Sequence, residues 1–159
     1  MNKRALLSGL IVGCVLTAAH GGAWACHCGV TPTPAEEFEQ VDAVFKGFVV
    51  SITPVPGQPY LDAYVLVTGV WKGLIPTFCH VFTPDTEAGC RFPFESSTDY
   101  LIYAFKSTES CCAGVFTGSC NRTNRLSNAQ EDLEYLGEPS PPVPVEETSW
   151  GAVKAMYKY

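Results

Sequence analysis

The chain has 159 residues, with 16 acidic against 10 basic side chains, a net charge of −6 and eight cysteines. That balance argues against nucleic acid or an anionic membrane as partner, because both are met by basic surfaces. The length suits one domain of ordinary size rather than several.

Lys3 and Arg4 open the chain, an apolar run follows from Ala5 to Ala19, and Ala23-Trp24-Ala25 closes the segment. Basic, apolar and small-residue regions in that order predict a secretory signal over residues 1–25, cleaved after Ala25. The apolar run falls short of the roughly 20 residues that cross a bilayer. It is also interrupted by Ser8, Gly9 and Gly13. Trp24 and Ala23 fit a lipid-attachment signal at Cys26 poorly. Taking 25 from 159 leaves 134 residues with eight Lys/Arg against sixteen Asp/Glu, so the exported part is more acidic still, and it begins Cys26-His27-Cys28. Cys79, Cys90, Cys111, Cys112 and Cys120 follow, which in an exported protein reads as a disulfide framework with one thiol left over.

Pro32 and Pro34 exclude a central strand over residues 31–40, and a loop followed by a helical turn at Pro34–Gln40 fits instead. Val41 to Ile52 predicts a strand with Val44, Phe48 and Val50 on one face and Phe45, Gly47 and Val49 on the other; Gly47 marks a bulge or bend. Thr53 to Pro59 is a connection. Tyr60 to Trp71 alternates as a second, antiparallel strand, with Leu61, Ala63, Val65, Val67 and Trp71 opposite Tyr60, Asp62, Tyr64, Leu66, Thr68 and Val70. After Lys72-Gly73, Ile75 to Thr83 predicts a third strand around Phe78, His80 and Phe82. Residues 84–97 form a loop with Cys90 near its middle. Asp99 to Lys106 is a fourth strand, with Tyr100, Ile102 and Ala104 facing opposite to Leu101, Tyr103 and Phe105, and a short fifth lies in Ala113–Cys120. Ser127 and Gln130 have the form of a capping box before a helix at about 128–136, whose Ala129, Leu133 and Leu136 face the strands. Residues 138–147 read as a Pro-rich linker, and 150–159 as an aromatic, basic tail that is either a docking tail or a frayed end. Five strands spaced by turns predict an all-β fold with short helices, closed or nearly closed as an antiparallel barrel.

Phosphate-binding glycine loops, nucleophile elbows and zinc-binding H-E-x-x-H helices do not occur in the sequence. Only His27 and His80 outlast processing, and His80 shares its strand face with Phe78 and Phe82, as a satisfied core or edge histidine does. Oxidised cysteines are not nucleophiles. The expectation is therefore that the protein is not an enzyme and holds no cofactor or metal of its own. Cys26-His27-Cys28 with Cys79, Cys111 or Cys112 has metal-ligating chemistry, but lacks the paired spacings of a structural zinc site. Spacing leaves the partners of Cys79, Cys111 and Cys112 open, and Asn121-Arg122-Thr123 matches a glycosylation acceptor.

Cys-x-Cys after a signal segment, Ala43-Val44-Phe45-Lys46-Gly47, Trp71-Lys72-Gly73, Cys90 in a loop, Tyr100-Leu101-Ile102-Tyr103-Ala104 and Thr117-Gly118-Ser119-Cys120-Asn121-Arg122-Thr123 succeed one another. Over roughly Cys26 to Gly137 this order resembles the netrin-like domain, specifically bacterial members similar to the tissue inhibitors of metalloproteinases. The resemblance implies an OB-fold-like five-stranded barrel at 26–137, flanked by the signal at 1–25 and the tail at 138–159. It further implies disulfides Cys26–Cys90 and Cys28–Cys120, which would each stabilise the fold by roughly 4–5 kcal/mol at most on a chain-entropy treatment. It implies a secreted or periplasmic protein whose Cys26 amine and carbonyl oxygen chelate the catalytic zinc of a target metalloprotease, zinc being present only in trans. His27, Cys28, Gly29, Val30, Ala88, Gly89 and Cys90 would then contact the target cleft. Where the animal inhibitors have a small hydroxyl residue, this chain has His27. The other reading is an extracellular netrin-like interaction module whose disulfides are purely structural.

Overall fold

Thr33 and Glu36 cap the first helix, α1 (Pro34–Gln40), in the structure, a computed structural model that describes residues 26–106 and 114–144. The Thr33 hydroxyl accepts from the Glu36 N–H while the Glu36 carboxylate accepts from the Thr33 N–H, and Pro34 occupies the first turn where no donor is needed. Thr33-x-x-Glu36 is a capping signature in plain sight of the sequence.

Strand β1 (Ala43–Pro54) pairs antiparallel with β2 (Tyr60–Lys72), and β2 with β3 (Phe78–Pro84). After the loop through Cys90, β4 (Asp99–Lys106) pairs antiparallel with β1 on its other side. The two-residue β5 (Val115–Phe116) lies antiparallel to β4 and parallel to β3, so that β1, β2, β3, β5 and β4 close into a ring of five strands. A wholly antiparallel ring was expected, and the β3–β5 pair corrects that. Directions alternating around a ring of five must repeat once, and the parallel pair falls at the shortest strand. A sixth strand, β6 (Asn124–Arg125), which sequence reasoning missed, pairs with β4 at Tyr100 and Leu101.

The inner cluster holds Phe45, Val49, Ala63, Val65, Val81, Tyr100 and Ile102, each 1% exposed or less. Gly47 lies among them because a Cβ there would sit 2.6 Å from Val65 Cγ1 and 2.7 Å from the Leu66 carbonyl oxygen; the register shifts between Lys46 and Gly47, as the expected bulge requires. Strand β4 alternates as expected. Its Leu101 and Tyr103 face outward with Val44, beneath helix α2 (Gln130–Leu136), whose Leu133 and Leu136 join Ala129 in covering them. Each such buried aliphatic or aromatic side chain contributes about 1.5–3 kcal/mol, so the helix is held by this face rather than by its seven residues.

Two expectations for strand faces and caps fail. In β2, Val70 points inward and Trp71 outward, the reverse of the alternation expected, because Thr68 and Trp71 have no partner in the β1 register and each shifts the phase by one residue. The Ser127–Gln130 box does not form: Leu126–Asn128 makes a 3-10 turn, α2 begins at Gln130 behind Ala129, and no side chain caps it. The start of the segment read as a linker is docked: Ser140 exchanges two backbone hydrogen bonds with Val70, and Val143 bonds to the Ile75 carbonyl and the Thr77 N–H. Among the described residues no helix is long and apolar enough to cross a membrane.

Candidate functional site

Residues 26–33 have no regular secondary structure and are anchored at three points. Cys26 is bonded to Cys90 and Cys28 to Cys120, across 64 and 92 positions. The third anchor is the Pro32 carbonyl, which accepts from the Arg122 guanidinium at 2.8 Å. Between the anchors His27, Gly29 and Val30 are exposed, Val30 by 98%. An exposed aliphatic side chain on a doubly bridged segment is what a contact ridge looks like, though single exposed apolar residues are common.

The receiving loops are shaped for the bridges. Thr86 caps a 3-10 turn at Glu87–Gly89 by accepting from the Gly89 N–H, and Cys90 closes it in the left-handed region at φ 66°. That conformation costs a non-glycine residue about 1–2 kcal/mol, which the bridge and the Cys90 N–H bond to the Glu87 carbonyl offset. The second loop comes close: Ser119 N–H donates to the Cys90 carbonyl at 2.9 Å, and a Cβ on Gly118 would lie 2.9 Å from that same oxygen. The bridges consequently touch, with Cys120 Sγ 3.2 Å from Cys26 Sγ and 3.5 Å from Cys90 Sγ. Three sulfurs this close have the spacing of a metal site, but each belongs to a disulfide and offers no thiolate. A cleft of about 490 Å³ beside them is lined by Val30, Pro32, Glu37, Cys90, Gly118 and Asn121 among others. Ala88 and Gly89 stand exposed next to Cys90, outside the cleft lining.

Behind the segment lies a buried charged network that the sequence did not announce. Arg122 binds Asp132 through Nε at 2.6 Å and Nη2 at 2.8 Å, and the more exposed Glu131 through Nη2 at 2.6 Å. The Tyr103 hydroxyl donates to Asp132 at 2.8 Å. Glu37 and Asp132 are each 4% exposed. Burial raises the Glu37 carboxyl, Arg122 lowers it and Asp132 adds to the rise. Burial and the bond to Asp132 push the Tyr103 hydroxyl far up, and Asp132 strengthens the proton affinity of Arg122. Thus the residue that tethers Pro32 is itself fixed by α2 and β4.

Asn121 is committed to structure: its amide donates to the Tyr103 carbonyl and Thr117 Oγ1 and accepts from the Thr123 N–H. Its Nδ2 is not presented as a glycan acceptor would be. His80 is an exposed-edge residue, its Nδ1 2.8 Å from an Asp62 carboxylate oxygen. Cys79 is a free thiol 5% exposed in the inner cluster, and burial, helped by the Asp62 charge, pushes it up to about 12. A thiol so placed is protonated and inert at neutral pH. It does not join Cys26, His27 or Cys28. Cys111 and Cys112, the signal segment 1–25 and the tail from 145 lie outside the described residues.

No family model matches the chain, and no curated protein matches it.

Proposed function

We propose that the protein is an exported, netrin-like inhibitor on an OB-type barrel, which caps the catalytic zinc of a metalloprotease with the amine and carbonyl oxygen of Cys26. The observation that carries the reading is the double bridge: the residue bearing the chelating atoms, and its neighbour two positions on, are each bonded to a different loop. A chelate ordered before binding loses little freedom on binding, and an α-amine with a pKa near about 8 releases its proton at small cost. Catalytic zinc keeps one position open for water, and a five-membered amine–carbonyl chelate displaces that water. The exposed His27, Gly29 and Val30 then enter the cleft beside the zinc, with Ala88 and Gly89 on its rim. The protein itself performs no reaction and contributes no metal.

The test is a variant with one extra alanine before Cys26, assayed with the parent against a panel of zinc metalloproteases. The extension removes the α-amine from the chelating position while leaving both bridges in place. Inhibition should fall by at least about 100-fold, equivalent to roughly 2.7 kcal/mol. Equal inhibition by the extended form refutes chelation. Binding without inhibition in both forms favours an interaction module.

A further inference from the structure

The cleft of about 490 Å³ beside the bridged segment has a chemistry that zinc chelation does not use. Val30, Pro32, Glu37, Gln40, Phe105 and Asn121 are among its described lining residues, of which Glu37 is the one that carries charge. Glu37 is also the one buried member of that lining, 4% exposed, and so lies deepest. Among the described residues no group donates a hydrogen bond to its carboxylate. Arg122, from the loop ahead of β6, and Asp132, from α2, act on it through charge alone. The Arg122 guanidinium bonds instead to Asp132, Glu131 and the Pro32 carbonyl. A buried carboxylate without a donor is rare, because its lost hydration goes unreplaced. Burial accordingly lifts the carboxyl above its ordinary value. A donor entering from the cleft completes it.

The walls set the class of that donor. Val30 is 98% exposed and Phe105 43%, and with Pro32 they give the cleft apolar sides. Around its floor Glu37, Asp132 and Glu131 set three negative charges against the single positive charge of Arg122. An apolar shaft ending in a carboxylate is complementary to an apolar stem ending in a cation, which is the form of a lysine or arginine side chain. The Phe105 ring attracts the same head group. Gln40, three residues along the same helix, stands exposed at the mouth and offers a second oxygen. A divalent metal ion fits less well, since hard cations gather several oxygen ligands and the described lining supplies one carboxylate.

We infer that this cleft is a subsite for a lysine or arginine side chain of the protein that the N-terminal segment meets, with Glu37 accepting from its head group. The inference rests on the reading of residues 26–33 as a contact segment, but not on zinc chelation by Cys26.

The test titrates N-acetyl-arginine amide, and its uncharged isostere N-acetyl-citrulline amide, into the disulfide-intact protein and into its Glu37→Gln variant. NMR follows the backbone amides of Val30 and Gln40 and, in the parent, the Glu37 carboxyl carbon. The arginine amide should shift these signals saturably with a Kd of about 1–10 mM, and the citrulline amide should bind at least about tenfold more weakly. Glu37→Gln should abolish the preference for arginine. Because a cation favours the ionised carboxylate, saturating arginine amide should also move the Glu37 titration to lower pH. Equal affinity for the two amides, a preference for arginine kept in Glu37→Gln, or no saturable shift at Val30 and Gln40 overturns the inference. No protease takes part in these readouts, so persisting inhibition by the alanine-extended form, which refutes chelation, leaves them unchanged.

Discussion

Replacing Arg122 with methionine tests whether the charged network is what seats the N-terminal segment. The change removes both bonds to Asp132, at 2.6 and 2.8 Å, and the 2.8 Å bond to the Pro32 carbonyl. It leaves Asp132, 4% exposed, facing the buried Glu37 with only the Tyr103 hydroxyl to help. Breaking a buried pair from one side costs about 3–5 kcal/mol. The Glu131 contact adds only about 0–1 kcal/mol, because that carboxylate is 73% exposed. Against the roughly 5–15 kcal/mol of a whole domain this is a large fraction, corresponding to a fall on the order of 10–20 °C in melting temperature. The assay is thermal unfolding of the disulfide-intact protein at neutral pH, followed by circular dichroism. The double variant R122M/D132N keeps an acceptor for Tyr103 and removes the orphaned charge, so it should recover about 1–3 kcal/mol of the loss. A single variant that loses less than about 1 kcal/mol, or a double variant no better than the single, would refute the reasoning.

Glu37→Gln should flatten part of the pH dependence of stability. Burial raises the folded-state carboxyl above its ordinary 4.5. Its contribution is therefore complete below that value and lost as pH rises through the raised one. Urea midpoints should show the parent gaining on E37Q as pH falls through this window; a difference that stays constant from about pH 8 to about pH 4 contradicts it. The pair C28A/C120A opens a loop of 92 positions and should destabilise the fold by up to roughly 4–5 kcal/mol. With Cys26 then held by one bridge, any protease inhibition should weaken more than the inhibition of an unrelated inhibitor used as control. Inhibition equal to the parent's at a temperature where the variant is folded would show that preorganisation by Cys28 is not used.

The faces of β1 and β4 were legible because one residue in two is apolar and buried there, and Gly47 announced its bulge. Strand β2 misled for the same reason it is informative. Alternation assumes an unbroken register, and two unpaired residues, Thr68 and Trp71, reverse the face of everything between them and Lys72. The parallel β3–β5 pair follows from closing five strands, but only once closure is known. Two-residue strands such as β5 and β6 carry no periodicity to read. Ser127 and Gln130 matched a cap by spacing, while the backbone spent those residues on a 3-10 turn. The Glu37–Arg122–Asp132–Tyr103 cluster was invisible because its members are scattered over 95 positions and charged side chains read as surface. The Cys26–Cys90 and Cys28–Cys120 pairings agree with what the resemblance implied, whereas spacing alone left them undecided.

The contact between the two bridges changes what reduction would mean for this protein. Opening Cys28–Cys120 frees a thiolate at Cys120 that already lies 3.2 Å from one sulfur of the remaining bridge and 3.5 Å from the other. Attack on that bridge forms a new bond to Cys26 or Cys90 and expels the other as thiolate, so the disulfide passes between neighbouring sulfurs while the number of disulfides stays the same. One two-electron reduction therefore leaves one disulfide shared among three neighbouring sulfurs: as Cys26–Cys90 or Cys26–Cys120 it still tethers the N-terminus, as Cys90–Cys120 it joins the two loops and lets the N-terminus go, and a second equivalent of reductant is needed to open all four cysteines.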